Sequence, residues 1–158
     1  MTMYNQLEVN VNTVYLSLGS NIDGEANLQR LIGLLGQGLH VLAVSSFYHS
    51  ADANGGTARY INAAIIAQTP LDPVALKTTV LRPAEAVLGR VRPSPIITAD
   101  ADLVLFNRDV LTYLGKPIPD PSVLTAAYVA RPLAEIAPDY VHPITGETLA
   151  QIAARLKG

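Results

Sequence analysis

The chain reads as an α/β (α+β) sandwich, a sheet with helices packed on it, and three runs of residues carry that reading. Residues 14–18 alternate Val14, Leu16 and Leu18 against Tyr15 and Ser17, a strand period of two. Residues 60–69 place Tyr60, Asn62, Ala64 and Ile66 on one face and Ile61, Ala63, Ile65 and Ala67 on the other. Residues 103–106 (Leu-Val-Leu-Phe) are apolar at every position, as in a strand covered on both sides.

The remaining elements fall between these runs. A polar lead-in, 1–12, precedes the first strand, which stops at the Gly19-Ser20-Asn21 turn. Asp23 is placed to cap a helix carrying Leu28, Leu31, Ile32 and Leu35 on one stripe and closing near Gly36 and Gly38. Residues 40–48 predict a second strand, followed by a small-residue loop over 49–58. Asp72-Pro73 is an acceptor cap followed by the residue that tolerates a first turn, so a helix is expected to about Leu88, kinked or broken at Pro83. A Pro-rich connection, 92–97, leads to the third run, and a second Pro-rich loop, 117–121, to a short helix around 133–136. The last helix carries Leu149, Ile152, Ala153 and Leu156. Strand–helix–strand–strand–helix–strand is the ferredoxin-like βαββαβ order with a mostly antiparallel sheet.

Composition narrows the chemistry. The chain has 158 residues, the size of one domain, and 49% are hydrophobic against 15% charged, which excludes a disordered chain. A net charge of −2 with dispersed Lys and Arg argues against nucleic acid as a partner. The absence of cysteine excludes thiolate metal sites and cysteine nucleophiles. No apolar run is long enough to span a membrane, so a cytoplasmic protein, monomeric or weakly homo-oligomeric, is expected.

Asp100 and Asp102 stand one residue apart at the head of the third run. On a strand they share a face, about 7 Å apart. Two such carboxylates resist desolvation unless a cation lies between them. A hard divalent cation such as Mg²⁺ fits, and so does a strand mouth that opens into solvent with both carboxylates hydrated.

Six segments, taken together and in order, resemble the 6-hydroxymethyl-7,8-dihydropterin pyrophosphokinase family, whose members move diphosphate from ATP to a pterin alcohol. They are Tyr15-Leu16-Ser17-Leu18-Gly19-Ser20-Asn21, Val44-Ser45-Ser46-Phe47-Tyr48, Tyr60-Ile61-Asn62-Ala63-Ala64, Leu88-Gly89-Arg90-Val91-Arg92, Asp100 through Phe106, and Arg131-Pro132-Leu133-Ala134-Glu135-Ile136-Ala137-Pro138. The resemblance covers residues 14–157 and implies one pyrophosphokinase-like domain over 13–158. It implies that Asp100 and Asp102 bind two Mg²⁺ ions with ATP, and that Arg92 acts with them in catalysis. Glu85, Arg90 and Arg92 correspond to nucleotide-binding positions, and Ser50, Tyr60, Asn62 and Tyr128 to pterin-binding ones. The residues alone leave other roles open: Asn62 as a buried amide tying down a loop, Glu85 as a solvated helix carboxylate, Arg90 as a structural anchor.

The chain also departs from the family's pattern. Typical members carry a mobile loop ending Arg-Trp-Gly-Pro-Arg-Thr before the aspartates, where this chain has Pro93-Ser94-Pro95-Ile96-Ile97-Thr98. The family's Pro-His is Pro119-Asp120, a later arginine falls within Thr125-Ala126-Ala127, and the pterin loop reads Ser50-Ala51-Asp52-Ala53-Asn54. Three expectations follow: an impaired or altered diphosphate transfer to a dihydropterin, a catalytically silent paralogue that binds pterin or nucleotide or serves as an interaction module, or a bare ferredoxin-like scaffold whose aspartates hold a metal unrelated to ATP.

Overall fold

A computed structural model describes residues 10–51 and 59–156. Its sheet is built from β1 (Asn12–Ser20), β2 (His40–Val44), β3 (Tyr48–Ala51), β4 (Arg59–Thr69) and β5 (Asp100–Phe106). The strand order is β2-β4-β1-β5, with β3 also paired to β4, and every pairing is antiparallel. With β2 and β3 counted as one broken strand, this is the ferredoxin-like order the sequence predicts.

Helices cover both faces. α1 (Gly24–Gly38) and α2 (73–87) bury Leu28, Leu31, Leu35, Leu76 and Leu81 against Val14, Leu16, Leu18, Ala63 and Ile65. After a β6–β7 hairpin (Leu111–Tyr113 and Lys116–Ile118) and a short α3 (Ser122–Thr125), α4 (Ala127–Ile136) and α5 (Leu149–Arg155) cover the other face. There Val129, Ala130, Leu133, Leu149 and Ile152 pack on Ala64, Val104 and Leu105. The uniformly apolar 103–106 run has a local cause beyond two-sided cover. Leu16 pairs with Leu103 and Tyr15 with Leu105, so Val104 is the extra residue of a bulge and joins Leu105 on the α4–α5 side.

Several local expectations are corrected. Residues 40–48 form no single strand, and the loop begins later than 49, because Tyr48–Ala51 pairs with β4. Side chains divert the backbone between the two pieces. The Ser46 N–H donates to the Glu135 carboxylate (2.9 Å) instead of the ladder, and Tyr48 donates its hydroxyl to the same group (2.6 Å). Asp23 precedes α1 in a left-handed conformation (φ 46°) and makes no side-chain cap. The Pro-rich stretch 117–121 contributes its first residues to β7, and the helix expected at 133–136 starts at Ala127. The 1–9 portion of the lead-in and the 52–58 portion of the loop lie outside the described residues.

Pro83 neither breaks nor ends α2. The helix runs Pro73–Leu76, then a π-helical turn Lys77–Leu81, then Arg82–Val87. The Arg82 N–H donates to the Lys77 carbonyl five residues back, so the chain has left the pitch at which the Pro83 ring would strike the Thr79 carbonyl. Asp72 caps the start through the Ala75 N–H at 2.8 Å. With the wider turn absorbing the proline, Pro83→Ala should change unfolding free energy by less than about 1 kcal/mol, not the roughly 3 kcal/mol of an interior proline. Urea titration of the two proteins checks this.

Candidate functional site

Register across three strands assembles the site. Gly19 on β1 pairs with Asn62 on β4 on one side and with Asp100 on β5 on the other. Side chains at directly paired positions share a face, so Asn62 and Asp100 rise from the same side of the sheet, two strands or about 10 Å apart. Between them Gly19 presents only backbone. A Cβ there would stand 3.4 Å from Asn62 Oδ1.

On the β4 side, Asn62 is buried and donates its amide to Ser50 Oγ at 2.6 Å. Tyr60 lies two residues before it on the same face and pairs with Ser50. Its hydroxyl accepts from Asn21 Nδ2 at 3.4 Å. Ser50, Tyr60 and Asn62 are therefore brought together, and the buried-amide role of Asn62 coexists with an Oδ1 that faces Gly19 and has no hydrogen-bond partner among the described residues.

On the β5 side, Asp100 Oδ1 accepts from Arg90 Nε (2.7 Å) and from Arg92 Nη2 (3.1 Å). Both arginines take the same oxygen, and Oδ2 has no partner among the described residues. Arg90 is buried and also donates to the Val91 carbonyl, whereas Arg92 is 36% exposed. Glu85 is not the solvated carboxylate a helix would allow. It is 1% exposed, accepts from Arg92 (2.9 Å) and from the Ala101 N–H (2.7 Å), and burial raises its pKa against those stabilising bonds.

Asp102 is half open to solvent, with 52% of its side chain accessible and Lys77 Nζ 4.0 Å away. Surrounding protein and the Asp100 charge raise its carboxyl pKa, while Lys77 and Lys116 oppose the rise. Tyr128 on α4 completes the outline. Its side chain is partly exposed, and burial first, then the Asp102 and Asp120 charges and Tyr60, raise its hydroxyl pKa. Asp120 turns its carboxylate onto Ser122 N (2.9 Å) and Oγ (2.6 Å) at the start of α3.

The pair fits a hard cation. Two carboxylates share one sheet face, Asp100 keeps one oxygen without a partner among the described residues, and no cluster of three or more His, Asp or Glu side chains lies among those residues. Such a site binds Mg²⁺ only when a ligand supplies further oxygens.

Three residues escape a reading by motif. Gly19 looks like a turn residue but is the gap in the floor. Asn21 straps the 93–98 connection down, accepting from the Ile97 N–H (2.6 Å) and donating to the Pro95 carbonyl (2.7 Å). Lys77 is buried between two core leucines, and its signal in the sequence is a lone charge in register with the apolar stripe of α2.

The family model described as 7,8-dihydro-6-hydroxymethylpterin-pyrophosphokinase (HPPK) matches residues 15–138. The 2-amino-4-hydroxy-6-hydroxymethyldihydropteridine pyrophosphokinase of Bacillus subtilis is 38% identical over 133 residues, covering 79% of this chain and 78% of that protein. The chain belongs to the HPPK family. A Synechocystis HPPK relative is 34% identical over 142 residues, covering 87% of this chain and 72% of its own length. The chain also matches the folic acid synthesis protein fol1 of Pneumocystis carinii, 34% identical over 145 residues, but spans only 19% of it. Among solved structures, Plasmodium falciparum HPPK-DHPS with pteroate superposes with a TM-score of 0.73 at 12% identity, covering 94% of this chain and 43% of that one. That likeness shows the fold of an HPPK domain. Among the described residues no helix is long and apolar enough to cross a membrane.

Because burial and the Asp100 charge raise the Asp102 carboxyl pKa above the ordinary aspartate range, any Mg²⁺ held through it should bind less tightly as pH moves from neutral into the acid range, the loss beginning before an ordinary aspartate would titrate. Asp102→Asn should flatten that pH dependence. Calorimetric Mg²⁺ titrations in the presence of a nucleotide measure both.

Proposed function

We propose that this chain transfers diphosphate from ATP to the hydroxymethyl group of a dihydropterin. The observation that carries the reading is the Asn62–Gly19–Asp100 row: a ring-recognising amide and an anion-and-arginine cluster flank bare backbone on one sheet face. A pterin ring needs both a donor and an acceptor along its amide edge, and Asn62 offers both, backed by Ser50 and framed by Tyr60 and Tyr128. The flat floor at Gly19 leaves room for a planar ring to lie toward Asp100.

In the reaction, the hydroxymethyl oxygen attacks the β-phosphorus of ATP. The bond from that phosphorus to the α,β-bridging oxygen breaks, AMP leaves with that oxygen, and the hydroxyl proton passes to solvent. Two Mg²⁺ ions held by Asp100 and Asp102 would neutralise phosphate oxygens and align the attack. Arg92 is exposed enough to turn from Asp100 Oδ1 to a phosphate, and Arg90 and Glu85 hold the cluster in place. We infer that residues 13–158 form one unit for this chemistry.

One observation favours a slower or silent variant of the same site. The 93–98 connection brings no cationic side chain and is tied to Asn21. An arginine acting on a transferring phosphoryl group can supply about 10³–10⁵ in rate.

AMP release from ATP and hydroxymethyl dihydropterin tests both readings. Wild-type protein should form AMP only with both substrates and Mg²⁺. Asp100→Asn with Asp102→Asn should abolish it while the protein stays folded, and Arg92→Ala should lower kcat by about a thousandfold with a smaller effect on nucleotide affinity. Gly19→Val should weaken pterin binding by about tenfold or more, because each extra methyl fills the gap beside Asn62. Replacing 93–97 by Arg-Trp-Gly-Pro-Arg, together with Asp120→His, should raise the rate. A folded graft that binds both ligands and forms no AMP would establish the silent reading.

A further inference from the structure

Lys77 is a charged residue in a place built for leucine. Its neighbours Leu76 and Leu81 are fully buried, and its own side chain is 8% exposed. A buried ammonium normally has a carboxylate at hydrogen-bond distance to repay its desolvation. Here, among the described residues, the nearest is Asp102 Oδ1 at 4.0 Å, beyond hydrogen-bond reach, and that carboxylate is half open to solvent. Burial lowers the Lys77 pKa, the Asp102 and Glu85 charges oppose this and the Lys116 and Arg82 charges add to it, and among the described residues the ammonium donates no hydrogen bond.

We propose that Lys77 is a polyphosphate-contacting residue of the nucleotide site, reaching from the π-helical turn of α2 to anionic oxygens gathered beside Asp102. The inference rests on the pyrophosphokinase reading above. Lys77, 4.0 Å away, and Lys116 both act on the half-open carboxylate of Asp102, a pairing of cations that a small neutral ligand would not require and a polyanion would. It also supplies a cation where the 93–98 connection supplies none. An ammonium suits this place better than a guanidinium would, because it is a compact point charge on a thin stem that packs among leucines.

The test is calorimetry on the full chain with Mg·ATP, inorganic tripolyphosphate with Mg²⁺, and AMP, beside thermal unfolding. Lys77→Met should keep or raise Tm, since it removes a poorly paired buried charge. It should weaken Mg·ATP and tripolyphosphate by about ten- to a hundredfold and leave AMP nearly unchanged. Lys77→Arg should recover part of the loss. Lys77→Gln, which keeps length and polarity, should repeat the loss and serves if the methionine variant does not fold. Wild-type affinity for ATP in either folded neutral variant would overturn the proposal, and so would an equal loss for AMP, which would place the lysine against the nucleoside. If the wild-type protein bound neither ATP nor tripolyphosphate, the nucleotide reading would fail and take this inference with it. If it bound both and released AMP while the variants matched it, only the role of Lys77 would fall.

Discussion

The site depends on one buried carboxylate. Glu85 receives the Ala101 N–H from the strand that bears the two aspartates, and a guanidinium N–H from Arg92 at the far end of the Gly-Arg-Val-Arg step. It therefore fixes three things at once: the height of α2 against β5, the course of the chain after the helix, and the direction of the arginine that meets Asp100. Burying a carboxylate is unfavourable by several kcal/mol unless its lone pairs are taken up. That same cost enforces the geometry, since any slippage of helix or strand leaves the charge uncompensated.

Around this anchor the charges form an alternating chain, Glu85–Arg92–Asp100–Arg90, in which each member is partnered. Asp102, two residues on, stands outside the chain and is the open member. The division is between a neutralised half that holds its shape without ligand and a half whose charge awaits one. The hydrophobic layers matter here mainly as mounts. α1 and α2 pack on one face and leave the aspartates on the other, where α4 and α5 cover only part of the sheet.

Much of this was legible from residues alone, for physical reasons. β1 and β4 are central strands, and the two-residue period holds along their whole pairing, as it does in β5 before its bulge, so face assignments such as Asn62 with Tyr60 follow directly. The shared face of Asp100 and Asp102 follows for the same reason. What escaped was set by side-chain contacts between elements distant in sequence. The break between β2 and β3 comes from Glu135, nearly ninety residues away, taking the Ser46 N–H. The failed Asp23 cap reflects a left-handed backbone that composition does not reveal. The short β6–β7 hairpin hid in a Pro-rich stretch, because three-residue strands carry too few alternations to register. Buried Lys77 left only a weak signal, a lone charge in the apolar stripe of α2, because a lysine in a helix is ordinarily a solvent-facing residue.

The π-helical turn has a consequence for the phase of α2. Lys77 and Glu85 are eight residues apart, and on a uniform 3.6-residue helix their side chains would point about 80° away from each other. A turn that absorbs one additional residue removes most of that offset and lines the two up along one edge of the helix, where both are buried and the Glu85 charge acts on Lys77. The insertion works as a quarter-turn dial: residues before it are rotated relative to those after it without disturbing either end. A helix of the same composition lacking that extra residue would keep Glu85 on the strand and swing the position of Lys77 round toward a neighbouring face. The cation at this wall of the cleft is thus set by backbone pitch as much as by the identity of the side chain.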